Sequence, residues 1–176
     1  AYLQPKSVLE AKISAIGSRG DGIAETEEGR FYVPFTVPGD RLLLTIQDGK
    51  IARSWRTMDG PNRRTPVCSH FGECGGCALQ HVDDVEYSTW MHKRVILTLA
   101  RHGIDTDVDP PIRIAPGTRR RARLVARATT KGVVLGFNPR RSNWLVDVTD
   151  CPVVRTEIVE LLPRLRTTLS YCLEAG

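Results

Sequence analysis

Three cysteines crowd one short turn of this chain and a fourth waits far downstream. Cys68, Cys74 and Cys77 are spaced C-x5-C-x2-C around Gly75-Gly76, and Cys151-Pro152 follows much later. Sulfur ligands must converge on one small centre, so they come from a sharply turning segment plus a remote residue that closes the site. This restricts the fold before any strand is placed: whatever forms between residues 77 and 151 has to bring the chain back to its own turn. Gly72, Gly75 and Gly76 allow positive φ there and let backbone amides approach sulfur. The downstream Cys-Pro pair matches the ending of bacterial cluster motifs. Three readings are open, ranked as an iron–sulfur site, a structural zinc site, and disulfides or unrelated thiols. Disulfides rank last because five cysteines are an odd number and a chain of 176 residues folds without staples. His70 and His81 flank the turn as candidate zinc ligands, although as surface or supporting residues they need no metal.

A content of 41% hydrophobic and 26% charged residues is that of an ordinary soluble globular protein of one or two domains. There is no apolar run of the roughly 18 residues that span a bilayer, and no basic start leading into an apolar stretch. Neither a membrane helix nor a signal peptide is therefore expected, and free thiols suit a cytoplasmic location. The formal net charge is +5. Its location says more than its size. Between Asp109 and Asp147 there is no Asp or Glu, whereas Arg113, Arg119, Arg120, Arg121, Arg123, Arg127, Lys131, Arg140 and Arg141 all fall there. Residues 1–57 are nearly neutral, with eight basic residues against seven acidic ones.

Period-two alternation of Leu9, Ala11, Ile13 and Ala15 predicts a half-buried strand ahead of the break at Gly17 to Gly22. Short apolar runs at 31–35, 41–46 and 51–55 follow, separated by Glu28-Gly29, Pro38-Gly39-Asp40 and Asp48-Gly49. Five short strands in residues 1–57 predict a small, partly closed OB-like β-barrel. Residues 58–67 read as a linker, and 68–176 as an α+β domain. In it, Asp83 or Asp84 caps a helix running to about His102, with Tyr87, Met91, Val95 and Leu99 as a core stripe and Gly103 as its stop. Val133, Leu135 and Phe137, then Trp144, Val146 and Val148, alternate as strands of an antiparallel meander whose exit carries Cys151. A last helix spans Thr156 to about Leu173, kinked or divided by Pro163, with Cys172 read as a small buried hydrophobe on its apolar stripe. The fold class is thus mainly β with α.

As a strand, Arg119 to Ala128 puts Arg119, Arg121, Arg123 and Arg127 on one face and Ala122, Leu124, Ala126 and Ala128 on the other. Like charges stacked on one face repel unless a polyanion supplies the countercharge, which points to nucleic acid. Arg119, Arg121, Arg123, Arg127, Lys131, Arg140 and Arg141 are the candidate RNA contacts. Phe31, Tyr32 and Phe35 are candidates for base stacking or, equally, for barrel core. No dinucleotide or phosphate-binding glycine loop is present, and no nucleophile stands with its base.

The run Cys68-Ser-His-Phe-Gly-Glu-Cys-Gly-Gly-Cys-Ala-Leu-Gln-His81 comes after Arg19-Gly-Asp-Gly-Ile-Ala24 and Phe31-Tyr-Val-Pro34. Downstream lie Arg119-Arg-Arg-Ala-Arg-Leu124, Leu135-Gly-Phe137 and Val146-Asp-Val-Thr-Asp-Cys-Pro152. In this order, over nearly the whole chain, these pieces resemble the iron–sulfur RNA 5-methyluridine methyltransferases. The resemblance implies an N-terminal TRAM domain of OB-like fold that holds ribosomal or transfer RNA. It also implies a central domain whose 4Fe-4S cluster is ligated by Cys68, Cys74, Cys77 and Cys151. The S-adenosylmethionine domain of the family, with its nucleophile in a Ser-Cys-Asn-Pro context, is absent from this chain. Ser170-Tyr-Cys172-Leu does not match that motif, so no catalytic role passes to Cys172. The expectation is the N-terminal portion of a longer methyltransferase, with no catalytic residue of its own. Two rivals are a stand-alone RNA-binding module with zinc or a cluster, and a fragment of a radical S-adenosylmethionine methylthiotransferase. Those enzymes resemble C-x3-C-x2-C with one iron open, unlike the spacing here.

Overall fold

The computed structural model describes residues 7–173. The chain divides into two compact units, residues 1–65 with 81–111 and residues 66–80 with 112–176. The cysteine turn therefore belongs to the second unit, while the segment directly after it returns to the first.

In the first unit, β1 (Ser7–Ile16), β2 (Gly22–Thr26), β3 (Gly29–Val33), β4 (Arg41–Gln47) and β5 (Lys50–Met58) form one antiparallel sheet ordered β3-β2-β1-β4-β5. The sheet curls until its two edge strands, β3 and β5, approach each other, which gives the expected barrel-like shape. Alternate residues of β1 and β4 point inward, so Ala11, Ile13, Leu42, Leu44 and Ile46 share a buried core with Ala24, Phe31 and Val33. The alternation of β1 does not run unbroken. A bulge between Ile13 and Ala15 resets it, leaving Ala15 exposed and burying Ile16. Phe31 is core, whereas Tyr32, next along β3, faces out at 56% exposure.

Asp40 closes the barrel. Its fully buried carboxylate accepts the Val37 amide at 2.9 Å and the Gly60 amide at 2.7 Å, and pairs with the guanidinium of Arg63. Arg63 also donates to the Phe35 carbonyl at 3.0 Å. The stretch expected as a linker is thereby held against the barrel.

Helix α1 (Asp84–Arg101) starts as expected, with Asp83 accepting the Glu86 amide at 2.7 Å, and stops at Gly103 with φ +72°. Trp90 donates to the Gly17 carbonyl at 3.0 Å and carries Arg94 over its ring. The expected core stripe is a correction: no residue of α1 is buried, and Val95 is 48% exposed. In the second half of the helix Val95, Ile96 and Leu97 are all exposed, while Leu99 is half-buried.

In the second unit, β6 (Val125–Thr129), β7 (Gly132–Phe137) and β8 (Val146–Asp147) form the antiparallel meander, and α2 (Thr156–Cys172) packs on β7. Leu135, Val146, Val148, Val154 and Leu162 are buried. Arg166 fastens the helix, donating to Asp147 at 2.7 Å and to the Val148 carbonyl at 2.8 Å. Two expectations change here. Helix α2 is not divided at Pro163 but runs as one element through it, and Cys172 is exposed, because the buried side of the helix turns on Leu162 and not on that cysteine.

Candidate metal centre and nucleic-acid surface

The second unit assembles the cysteines. Phe71 donates its amide to the Cys68 carbonyl at 3.1 Å, and the Glu73 and Cys74 amides both reach the His70 carbonyl, at 3.2 and 2.9 Å. This tight winding needs Gly72, at φ +96°, a left-handed value that costs glycine nothing. Gly75 and Gly76 do not adopt the positive φ expected of them. Gly75 is needed for close approach, since a Cβ there would lie 2.5 Å from the Asn138 carbonyl oxygen, which instead accepts the Gly75 amide at 3.1 Å. Gly76 performs the expected service to sulfur, with its amide 3.4 Å from Cys74 Sγ.

Cys151 arrives from the other side. The chain leaves β8 through the buried Val148, and Arg119 pairs with the Val153 to Arg155 segment through its amide and carbonyl, at 3.2 and 3.0 Å. One cavity is consequently lined by Cys68, Cys74, Cys77 and Cys151, together with His70, Phe71, Phe137 and Val148. All four thiols are free and partly buried. Burial, first of all, pushes the Cys68 and Cys74 thiols up, and the neighbouring thiols add to this by mutual repulsion. The amides of His70 and Gly76 pull the other way. Thiols that resist ionising side by side are what a cationic centre relieves, because it neutralises the sulfurs together. Among the described residues no three His, Cys, Asp or Glu side chains form a ready-made site for one metal ion. Four cysteines around one cavity are the donor set that iron–sulfur clusters and structural zinc both take. His70 Nε2 is buried beside this cavity and has no hydrogen-bond partner. His81 parts company with the site: it lies in the first unit, fully buried, with Nε2 3.2 Å from the Thr36 carbonyl oxygen.

The arginine row is present but is not all strand. The ladder with β7 begins only at Val125, opposite Gly136. Continuing that register backward would set Arg123 against Asn138, whose carbonyl is already taken by Gly75, and Ala122 against Pro139, which has no amide to give. Residues 120–124 therefore lie outside the β7 ladder, yet they keep their alternation. Arg121, Arg123 and Arg127 are exposed, and Ala122, Leu124, Ala126 and Ala128 are half-buried between them. Arg127 donates weakly to the Asn143 carbonyl at 3.4 Å. Arg119 departs from the row, lining the cysteine cavity. Lys131 and Arg141 are exposed, in the turn after β6 and at φ +58°, respectively, and Arg140 is half-buried. Among the described residues, no carboxylate pairs with Arg119, Arg121, Arg123, Arg127, Lys131 or Arg141. The sequence did not single out Trp55, which stands 70% exposed on β5 opposite Leu43.

One chain thus carries a barrel-like module and a β-meander unit that gathers four cysteines and a row of arginines without carboxylate partners among the described residues. Comparison with known proteins narrows this. The chain is 42% identical over 154 residues to an uncharacterised RNA methyltransferase of Brucella suis, an alignment covering 88% of this chain and 37% of that protein. It is 33% identical over 172 residues to the 23S rRNA (uracil(1939)-C(5))-methyltransferase RlmD of Salmonella paratyphi A, covering 94% and 39%. By this homology the chain is related to part of the RNA methyltransferases, RlmD among them. It spans less than half the length of these relatives. The crystal structure of Pyrococcus abyssi tRNA (uracil-54, C5)-methyltransferase in complex with S-adenosyl-L-homocysteine shares the fold, with a TM-score of 0.61 at 24% identity, over 92% of this chain and 37% of that one. No protein-family model matches the chain. No helix among the described residues is long and apolar enough to cross a membrane.

Proposed function

We propose that this chain is the RNA-holding, iron–sulfur portion of an S-adenosylmethionine-dependent RNA uracil-C5 methyltransferase acting on ribosomal or transfer RNA. The observation that carries the reading is the single cavity lined by Cys68, Cys74, Cys77 and Cys151, in a chain whose relatives are named RNA methyltransferases. The methylthiotransferase alternative finds no support among these relatives. Bound there, a 4Fe-4S cluster supplies a compact four-point crosslink between the cysteine turn and the segment after β8. The four cysteines hold it, and the Gly76 and His70 amides offset the negative charge of their sulfurs. Arg121, Arg123, Arg127, Lys131, Arg140 and Arg141 contact RNA phosphates and set its position without reading its sequence. Arg119, at the cavity wall, links that surface to the metal centre. The barrel-like unit, as a TRAM domain, grips single-stranded RNA. None of these 176 residues is assigned the methyl-donor site or the nucleophile. Anaerobic purification with iron, sulfide and zinc quantified tests the reading. About four irons and four sulfides per chain, with broad visible absorption, support it. One zinc and a colourless protein would favour the stand-alone zinc module.

A further inference from the structure

We propose that the imidazole of His70 is a positioning residue for the iron–sulfur group, its Nε2–H donating a hydrogen bond to a cluster sulfide or cysteine sulfur. This rests on the cluster reading given above. The ring nitrogen is shut off from water and has no partner in the protein. A buried ring nitrogen left unpaired is costly, so as a donor it calls for an acceptor. The ring lines the cavity that the four cysteines line, and sulfur is the acceptor a cluster brings there.

The placement is not left to side-chain freedom. The carbonyl of His70 accepts two amides of the turn, from Glu73 and Cys74, and its own amide serves the Cys68 thiol. Backbone bonds thus tie the His70 main chain to two of the four ligand cysteines, and its buried ring nitrogen lies at the wall of their cavity. Four cysteines already complete the ligand set of a 4Fe-4S cluster, which leaves His70 the part of donor and not of ligand. Donation from N–H to sulfur withdraws negative charge from the cluster, favours its reduced form and raises its reduction potential.

The test compares the full chain, reconstituted anaerobically, with His70→Phe, which keeps a ring without the donor, and His70→Gln, which keeps an N–H. Iron per chain, melting temperature and midpoint potential are measured on all three. The expected result is a midpoint shifted to more negative values in His70→Phe and lying closer to wild type in His70→Gln, at unchanged melting temperature. Loss of iron from His70→Phe with retention in His70→Gln supports the same role. Equal midpoints in all three proteins at full iron content overturn it, as does loss of iron from both variants, which would make the ring a ligand or a scaffold. Pulsed EPR on protein labelled with nitrogen-15 histidine gives an independent readout. Weak nitrogen coupling that disappears in His70→Phe is expected, and the strong coupling of a direct ligand refutes donation. If the wild-type chain takes up no iron and sulfide, the cluster reading itself fails, and that is seen before any variant is compared.

Discussion

Asp40 is the most deeply committed charge in the barrel-like unit. Burial alone would raise its carboxyl, but the Arg63 guanidinium and the amides of Val37 and Gly60 outweigh burial and hold it below the usual carboxylate range. His81 is also depressed, by burial before all else, and stays neutral. The two shifts have the same sign in their effect on stability. Each group binds its proton more readily in the unfolded chain, so its contribution is complete above the unfolded value and is lost as pH falls through the lower folded one. Unfolding by urea at a series of pH values should therefore show stability declining first below about 6.5 and again below about 3.9, the unfolded values for histidine and aspartate. His81→Gln should remove the first decline. Asp40→Asn should reduce the second, to which the Asp147 carboxyl paired with Arg166 also contributes, and cost about 3–5 kcal/mol at neutral pH, because Arg63 then loses the partner of a buried pair. A wild-type profile flat from pH 7 to below the carboxylate range would refute both assignments.

At the scale of elements, the arginine-bearing segment shows how register decides surface chemistry. Only residues from Val125 on are laddered, because Asn138-Pro139 ends β7. The preceding residues stay extended, with half-buried alanine and leucine beneath and arginine above. That leaves Arg121 and Arg123 without carboxylate partners among the described residues and free to meet phosphate. Replacing both with glutamine should weaken RNA binding across sequences and flatten its salt dependence, by about 0.7 in the log–log slope for each phosphate of a single strand that is no longer neutralised. An unchanged slope would move the RNA surface elsewhere. Helix α1 is the contrasting element. Its cap, stop and length were all legible in the sequence, but its buried side was not. A stripe at helical spacing says which residues share a face, and only the neighbours say whether anything packs there.

At the scale of the whole molecule, the two units are interleaved in sequence. The cysteine turn and the meander with Cys151 form one unit, while residues 81–111 return to the other. If a cluster ties the turn to the meander, Cys151→Ser should abolish iron retention and lower the melting temperature of the second unit, read by calorimetry. A variant that keeps iron and melts with wild type would show that the crosslink does not hold this unit together. The sequence alone located four of the five barrel strands, all but Gly22–Thr26, together with the caps of the first helix and the grouping of basic residues, since these depend on alternation, turn chemistry and charge along the chain. It also marked the four cysteines and, through their order among the other motifs, the methyltransferase family. Only the tertiary structure decided that β1 bulges, that Cys172 lies exposed on its helix, that Gly75 serves close approach and not positive φ, and that the arginine row is half unpaired. It alone drew the four thiols around one cavity and left the His70 nitrogen beside them without a partner. These outcomes depend on which distant segment occupies the adjoining space, a quantity that local pattern does not encode.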